Sequence, residues 1–197
     1  MKKLLLFFAI LILPFNLFAA VGCDLKDPDR DVKRFFPLST GYKTNYYSIK
    51  NLGGENLLKE VETELGDKFT GLYETIDVPY TIYSVYKDKA IIGYIHGINQ
   101  KGKYGGIQVF LVYNSKGAIQ NFYYQKLTSR SAEKLKGFEF ANKFTNLTYK
   151  DFKNYDPVTH QNTKITNPDG EETNIDFYAT LRAVKKNLIL MKKFIFK

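Results

Sequence analysis

Residues 80–127, YTIYSVYKDKAIIGYIHGINQKGKYGGIQVFLVYNSKGAIQNFYYQKL, decide the fold. Four runs within them, 80–86, 90–96, 107–113 and 119–127, are rich in Ile, Val, Tyr and Phe. Such side chains suit a pleated, half-buried surface, so each run predicts a strand. Lys87-Asp88-Lys89 and Asn114-Ser115-Lys116-Gly117 interrupt the runs as turns do. The longer connection, 99–106 (NQKGKYGG), is rich in glycine. Strands this close in sequence predict an antiparallel meander.

Outside the strands the period changes. Leu57, Leu58, Val61 and Leu65 have helical spacing, between Gly53-Gly54 and Gly66. Ser131 is placed to cap a helix with Glu133 in its first turn, and Gly137 weakens that helix. Residues 151–172 are polar, contain Pro157, Pro168 and Gly170, and read as a surface loop. A last helix is predicted over 176–194, where Leu181, Val184, Leu188 and Met191 form an apolar stripe. Arg182, Lys185, Lys186, Lys192 and Lys193 flank the stripe. A stripe of this kind faces a core with its lysines in water, or lies on an anionic membrane; the core is the expectation. The class is α+β: an antiparallel meander with flanking helices, preceded by a signal peptide.

The signal reading rests on Lys2-Lys3, ten apolar residues over 4–13, Pro14, and small residues at Ala19, Ala20 and Gly22. That is a secretory leader, and its run is short for a bilayer span. Ala20-Val21-Gly22-Cys23 resembles the bacterial lipobox. Cys23, the sole cysteine of 197 residues, has no disulfide partner, and lipidation explains it. The expected product is an exported lipoprotein anchored on the extracytoplasmic side. In a Gram-negative cell, Asp24 resembles the signal that keeps it on the periplasmic face of the inner membrane.

The expected organisation is 1–22 signal peptide, 23–75 anchored tether and helical region, 76–155 sheet domain, and 156–197 polar loop and packing helix. Within the tether, Phe35 and Phe36 are expected to dock onto the domain. Removing 1–22 takes two lysines and no acid, lowering the formal charge from +9 to +7. The lysines are spread along the chain, with no paired-cysteine finger and no arginine-rich arm, so nucleic acid is excluded as a partner. Asp27, Asp29 and Asp31 alternate like a calcium loop, but Val32 and Leu38 occupy the places of its glycine and glutamate. No metal site is expected.

No catalytic set emerges. His96 and His160 are the only histidines, neither in a nucleophile motif, and no carboxylate pair stands out as a glycosidase dyad. His96 reads as a hydrogen-bonded structural residue. The glycine loop reads either as a turn and bulge or as a place where backbone amides approach a phosphate.

One resemblance adds to this. Gly102-Lys103-Tyr104-Gly105-Gly106-Ile107-Gln108-Val109, a strand, the turn Lys116-Gly117, a second strand and then 125–131 (QKLTSRS) resemble the FMN-binding domain family. That family includes the flavin-bearing subunits of the sodium-pumping NADH:quinone reductase and of the Rnf electron-transfer complexes. The resemblance, over about 78–152, implies a cofactor site at Tyr104, Gly105, Gly106, Gln108, Gln125, Ser129, Arg130 and Ser131. It also implies electron transfer at the membrane, with a membrane redox complex as partner. Flavinylated members carry FMN on a threonine in an Asp…Ser-Gly-Ala-Thr motif. Here Asp176, Ala179 and Thr180 can be laid on it, whereas Phe177 and Tyr178 replace Ser-Gly. Bulky aromatics there point to noncovalent FMN. The alternative is a non-enzymatic lipoprotein that binds a partner or small anionic ligand without flavin.

Overall fold

The computed structural model describes residues 22–170 and 174–196; residues 1–21, which hold nearly all of the expected signal peptide, lie outside the described residues. The chain runs α1 (Pro28–Phe35), β1 (Gly41–Tyr47), α2 (Ile49–Leu52), α3 (Gly54–Leu65), β2 (Tyr80–Lys87), β3 (Ala90–Lys101), β4 (Gly106–Asn114) and β5 (Ile119–Lys126). Four helices follow: α4 (Ala132–Leu135), α5 (Phe138–Asn142), α6 (Tyr149–Phe152) and α7 (Ile175–Phe194). The strands form one antiparallel sheet in the order β1-β2-β3-β4-β5. The fold is α+β, as the sequence predicts.

The sheet is covered on both faces, which explains why its central strands carry apolar side chains on both sides. On one face Ile82, Ile98, Val109, Leu111 and Phe122 pack against helical residues such as Val61, Leu181 and Leu188. On the other, Tyr83, Val85, Ile95, Phe110 and Val112 pack against Cys23, Leu25, Val32 and Phe36. The alternation of Ile82 with Tyr83, and of Val109 with Phe110, is the period-two signature of a strand serving two layers.

Two elements add to the predicted set. Strand β1 pairs with β2 from Gly41↔Tyr86 to Tyr47↔Tyr80 and makes the sheet five-stranded. Helix α1 replaces most of the expected tether: Asp27 caps it by accepting from Arg30 N, Pro28 opens it, and Lys33 and Arg34 close it. Phe36 does dock, at 6% exposure. The helix expected after Ser131 divides at Gly137 into α4 and α5, and the Ser131 side chain does not cap α4. Residues 151–170 are irregular apart from the end of α6.

Helix α7 packs into the core along its stripe, but its bases are not all in water. Lys185 is buried and donates to the carbonyls of Leu65 (2.9 Å) and Tyr155 (2.5 Å). Lys186 is fully buried and donates to Glu74 Oε1 at 2.6 Å. Arg182 donates to Asp67, Glu74 and Gln100. A helix flanked by so many bases is buried because the preceding loops bring carboxylates and carbonyls to meet them. No helix among the described residues is long and apolar enough to cross a membrane.

Candidate functional site

A cavity of about 350 Å³ opens where the β3–β4 loop, the β5–α4 connection and the start of α7 meet. The loop is a tight turn, Gly102 N donating to Gly105 O at 2.8 Å. Asp176, in the first turn of α7 and 2% exposed, locks it by accepting from Lys103 N at 2.7 Å. Asn174 fixes the helix start: its Oδ1 accepts from Phe177 N at 3.0 Å. Its Nδ2 donates to Ser131 Oγ (3.0 Å) and Asp169 Oδ2 (2.7 Å). One side chain thus ties the loop before α7 and the first turn of that helix to the β5–α4 connection, 43 residues away in sequence.

The charges on the wall are unequally engaged. Asp169 is answered by Lys134 at 3.3 Å, and Asp176 by the loop amide. Arg130 and Lys103 make no ion pair among the described residues, and stand 5.7 and 5.4 Å from the Tyr104 ring. Tyr104 is 42% exposed, leaving ring surface open to the cavity. The N-terminus of a 20-residue helix adds partial positive charge. This arrangement can hold an anion through Arg130, Lys103 and the Ser129 and Ser131 hydroxyls, with an aromatic face alongside.

Of the residues singled out from sequence, Tyr104, Ser129, Arg130 and Ser131 line this cavity together. Gly105 and Gly106 form the adjoining turn for internal reasons. Gly105 has φ of +143°, and a Cβ on Gly106 would stand 2.6 Å from the Tyr73 hydroxyl. Gln108 and Gln125 are not at the cavity. Gln125 donates to Asp24 O at 2.9 Å and accepts from Lys26 N at 2.9 Å, and Gln108 Nε2 donates to Asn99 Oδ1. They belong to a clasp around residues 22–26, completed by Asn99 to Gly22 O (2.8 Å), Thr81 to Asp24 Oδ1 (2.5 Å) and Leu25 N to the Tyr83 hydroxyl (3.1 Å).

The clasp bears on Cys23. Its thiol is 4% exposed, packed over Gly97 and Phe110, and burial pushes its pKa up to about 12. Thr180 is equally enclosed. It lies in the second turn of α7 with no exposed surface, its hydroxyl donating to Asp176 O and sharing a 2.7 Å hydrogen bond with Tyr124. Phe177 is in the core, and His160 stacks on Tyr178 at 3.6 Å. His96, also fully buried, has Nδ1 2.8 Å from Asn187 Oδ1; burial lowers its pKa to about 4, so it is neutral.

Lys103, Lys134, Asp169, Asn174 and Asp176 were not legible as site residues. Asn174 carried a usable signal, a good cap before a helical run. Asp169 carried none, since only the path of the polar loop brings it here. No group of His, Cys, Asp and Glu among the described residues could hold a metal ion. No family model matches the chain, and no curated protein matches it in sequence.

Proposed function

We propose that the chain is an exported, lipid-anchored protein whose α+β domain binds FMN noncovalently in the Tyr104–Arg130 cavity and takes part in electron transfer at the membrane. The observation that carries this is the meeting of Tyr104, Ser129, Arg130 and Ser131, four residues grouped by resemblance alone, around one cavity at a helix N-terminus. FMN, when bound, supplies the redox chemistry. Arg130 and Lys103 hold the phosphate, the serine hydroxyls orient it, and Tyr104 offers its ring. The enclosed Thr180 hydroxyl supports noncovalent rather than covalent binding, because a transferase has no approach to it. A membrane redox complex is the proposed partner. The anchor at Cys23 requires residues 23–25 to leave the clasp, since a buried sulfur cannot carry acyl chains where it lies.

A domain that takes a smaller anion without flavin is the second reading. It is favoured by Glu133, Asp169 and Asp176, carboxylates that share the cavity lining with Lys103, Arg130 and Lys134 and limit its net positive charge. A visible absorption spectrum of protein purified from membranes separates the two, with intact mass recorded on the same sample. The flavin reading expects a yellow protein that releases FMN on denaturation and shows no FMN adduct. A colourless protein that also fails to take up added FMN leaves only the second reading.

A further inference from the structure

At the opposite end of α7 a second cavity, of about 360 Å³, lies between the last turns of that helix, the β4–β5 turn and the start of α6. Its volume is within the range of small-ligand pockets. Its floor is apolar and reaches the core: Leu188, Met191 and Tyr113 are all buried. Phe196 forms one wall, set by edge contact with Tyr94 at 5.4 Å. Tyr149 forms another.

The rim has one sign. Lys116, Lys150 and Lys192 line the cavity, and among the described residues no carboxylate does. The nearby acids are occupied. Glu64 bonds Lys192 at 3.0 Å and Lys193 at 2.8 Å, and Asp151 accepts from Thr148 N and Oγ1 at 2.8 Å. Lys116 and Lys150 are exposed and form no ion pair among the described residues. Lys192 Nζ sits 4.1 Å over the Tyr149 ring, so even the ring face is turned to a cation. An apolar floor beneath Lys116 and Lys150, which form no ion pair among the described residues, and Lys192, which shares Glu64, selects a ligand with an apolar body and an anionic head.

We propose that this cavity binds a single-chain amphiphilic carboxylate, its chain against Leu188, Met191 and Phe196 and its head between Lys116 and Lys150. The site is separate from the Tyr104–Arg130 cavity and does not depend on flavin binding.

The chain contains no tryptophan, so Tyr149→Trp places a sole reporter indole on the cavity wall. Titrating decanoate below its aggregation threshold should shift the emission saturably with one-to-one stoichiometry. Lys116→Glu with Lys150→Glu should weaken binding at least tenfold at unchanged melting temperature, and decanol should bind at least tenfold more weakly than decanoate. A parallel titration with anionic phospholipid vesicles separates a pocket from a membrane-contacting face. Vesicle binding that needs Lys116 and Lys150, with no response to decanoate, overturns the proposal in favour of such a face. Absence of response to either probe, or equal affinity for decanoate and decanol, overturns it as well. Calorimetry with unsubstituted protein guards against a defect introduced at Tyr149, and absence of heat there counts against the site.

Discussion

The Lys186 ammonium and the Glu74 carboxylate meet at 2.6 Å although 112 residues separate them, and neither is more than slightly exposed. Arg182 joins from one helical turn away, its Nη1 also 2.6 Å from Glu74 Oε1. The two bases hold the Glu74 pKa down to about 2 against the effect of burial, while burial lowers that of Lys186 to about 8.

The two partners are therefore not equivalent to mutation. Glu74→Ala strands the fully buried Lys186 ammonium without a counter-charge, while Arg182 keeps Asp67, and should cost about 3–5 kcal/mol. Lys186→Met leaves Glu74 with its Arg182 hydrogen bonds and should cost clearly less. Urea unfolding of both variants measures the difference. Equal losses would mean that Arg182 does not support the carboxylate.

His96 gives a separate dependence on pH. Its pKa falls from 6.5 to about 4 on folding, first because of burial. The unfolded chain then binds the extra proton first, so stability is full above about pH 6.5 and is lost as pH drops toward 4. The shift corresponds to about 3 kcal/mol. Glu74 adds a further loss between its ordinary value of 4.5 and about 2. Thermal melting of wild type and His96→Gln across pH 7 to 4 should show a flatter profile in the variant.

Arg130 tests the Tyr104–Arg130 cavity. Removing its charge-assisted hydrogen bonds is worth about 1.5–3 kcal/mol, so Arg130→Ala should weaken FMN binding tenfold to a hundredfold. The melting temperature should barely move, since the side chain is exposed and makes no ion pair among the described residues. Ser131→Ala should touch both quantities, because its Oγ also accepts from the α7 cap Asn174. Flavin fluorescence titration with a melting control reads both effects. Equal FMN affinity in wild type and Arg130→Ala would remove the phosphate site.

Most of the sheet was legible because its strands serve two cores and are marked by Ile, Val and aromatics between polar turns. Strand β1 was not. GYKTNYY lies at the sheet edge, largely unburied, and carries no Ile or Val to mark it. Helix α1 was hidden by its own acids: Asp29 and Asp31, which alternate like calcium ligands, are the favourable charges of a first helical turn. Local pattern could not anticipate that Lys185 and Lys186 are buried, since their partners arrive from loops about 30 to 120 residues away. The cavity was half legible. A loop and a serine-rich strand end can be read locally, whereas Asp169 and Asp176 reach it only through the fold. The resemblance groups Gln108 and Gln125 with the cofactor, and nothing in their local sequence shows that residues 22–26 come back across the sheet to meet them.

Cys23 offers a direct chemical test of the clasp. In protein made without its signal peptide the thiol should react with iodoacetamide roughly a thousandfold more slowly than an exposed cysteine, since the thiolate is the nucleophile. Gln125→Ala or Thr81→Ala should speed the reaction without unfolding the domain. In the exported protein, Cys23→Ser should abolish release of lipid-bearing protein into detergent, leaving it in the aqueous fraction. Unchanged partitioning would place the anchor elsewhere.

The clasp also sets how far the domain stands from whatever holds its first residue. With residues 22–26 held across the sheet from Thr81 and Tyr83 on β2 to Gln125 on β5, this segment has no slack against the strands. Were Cys23 acylated and drawn out, as the proposed anchor requires, the few residues before α1 would form a leash of roughly 15 Å at full extension. The loss of Cys23 and Leu25 from the outer layer would leave Val32, Phe35 and Phe36 of the α1 segment to cover it.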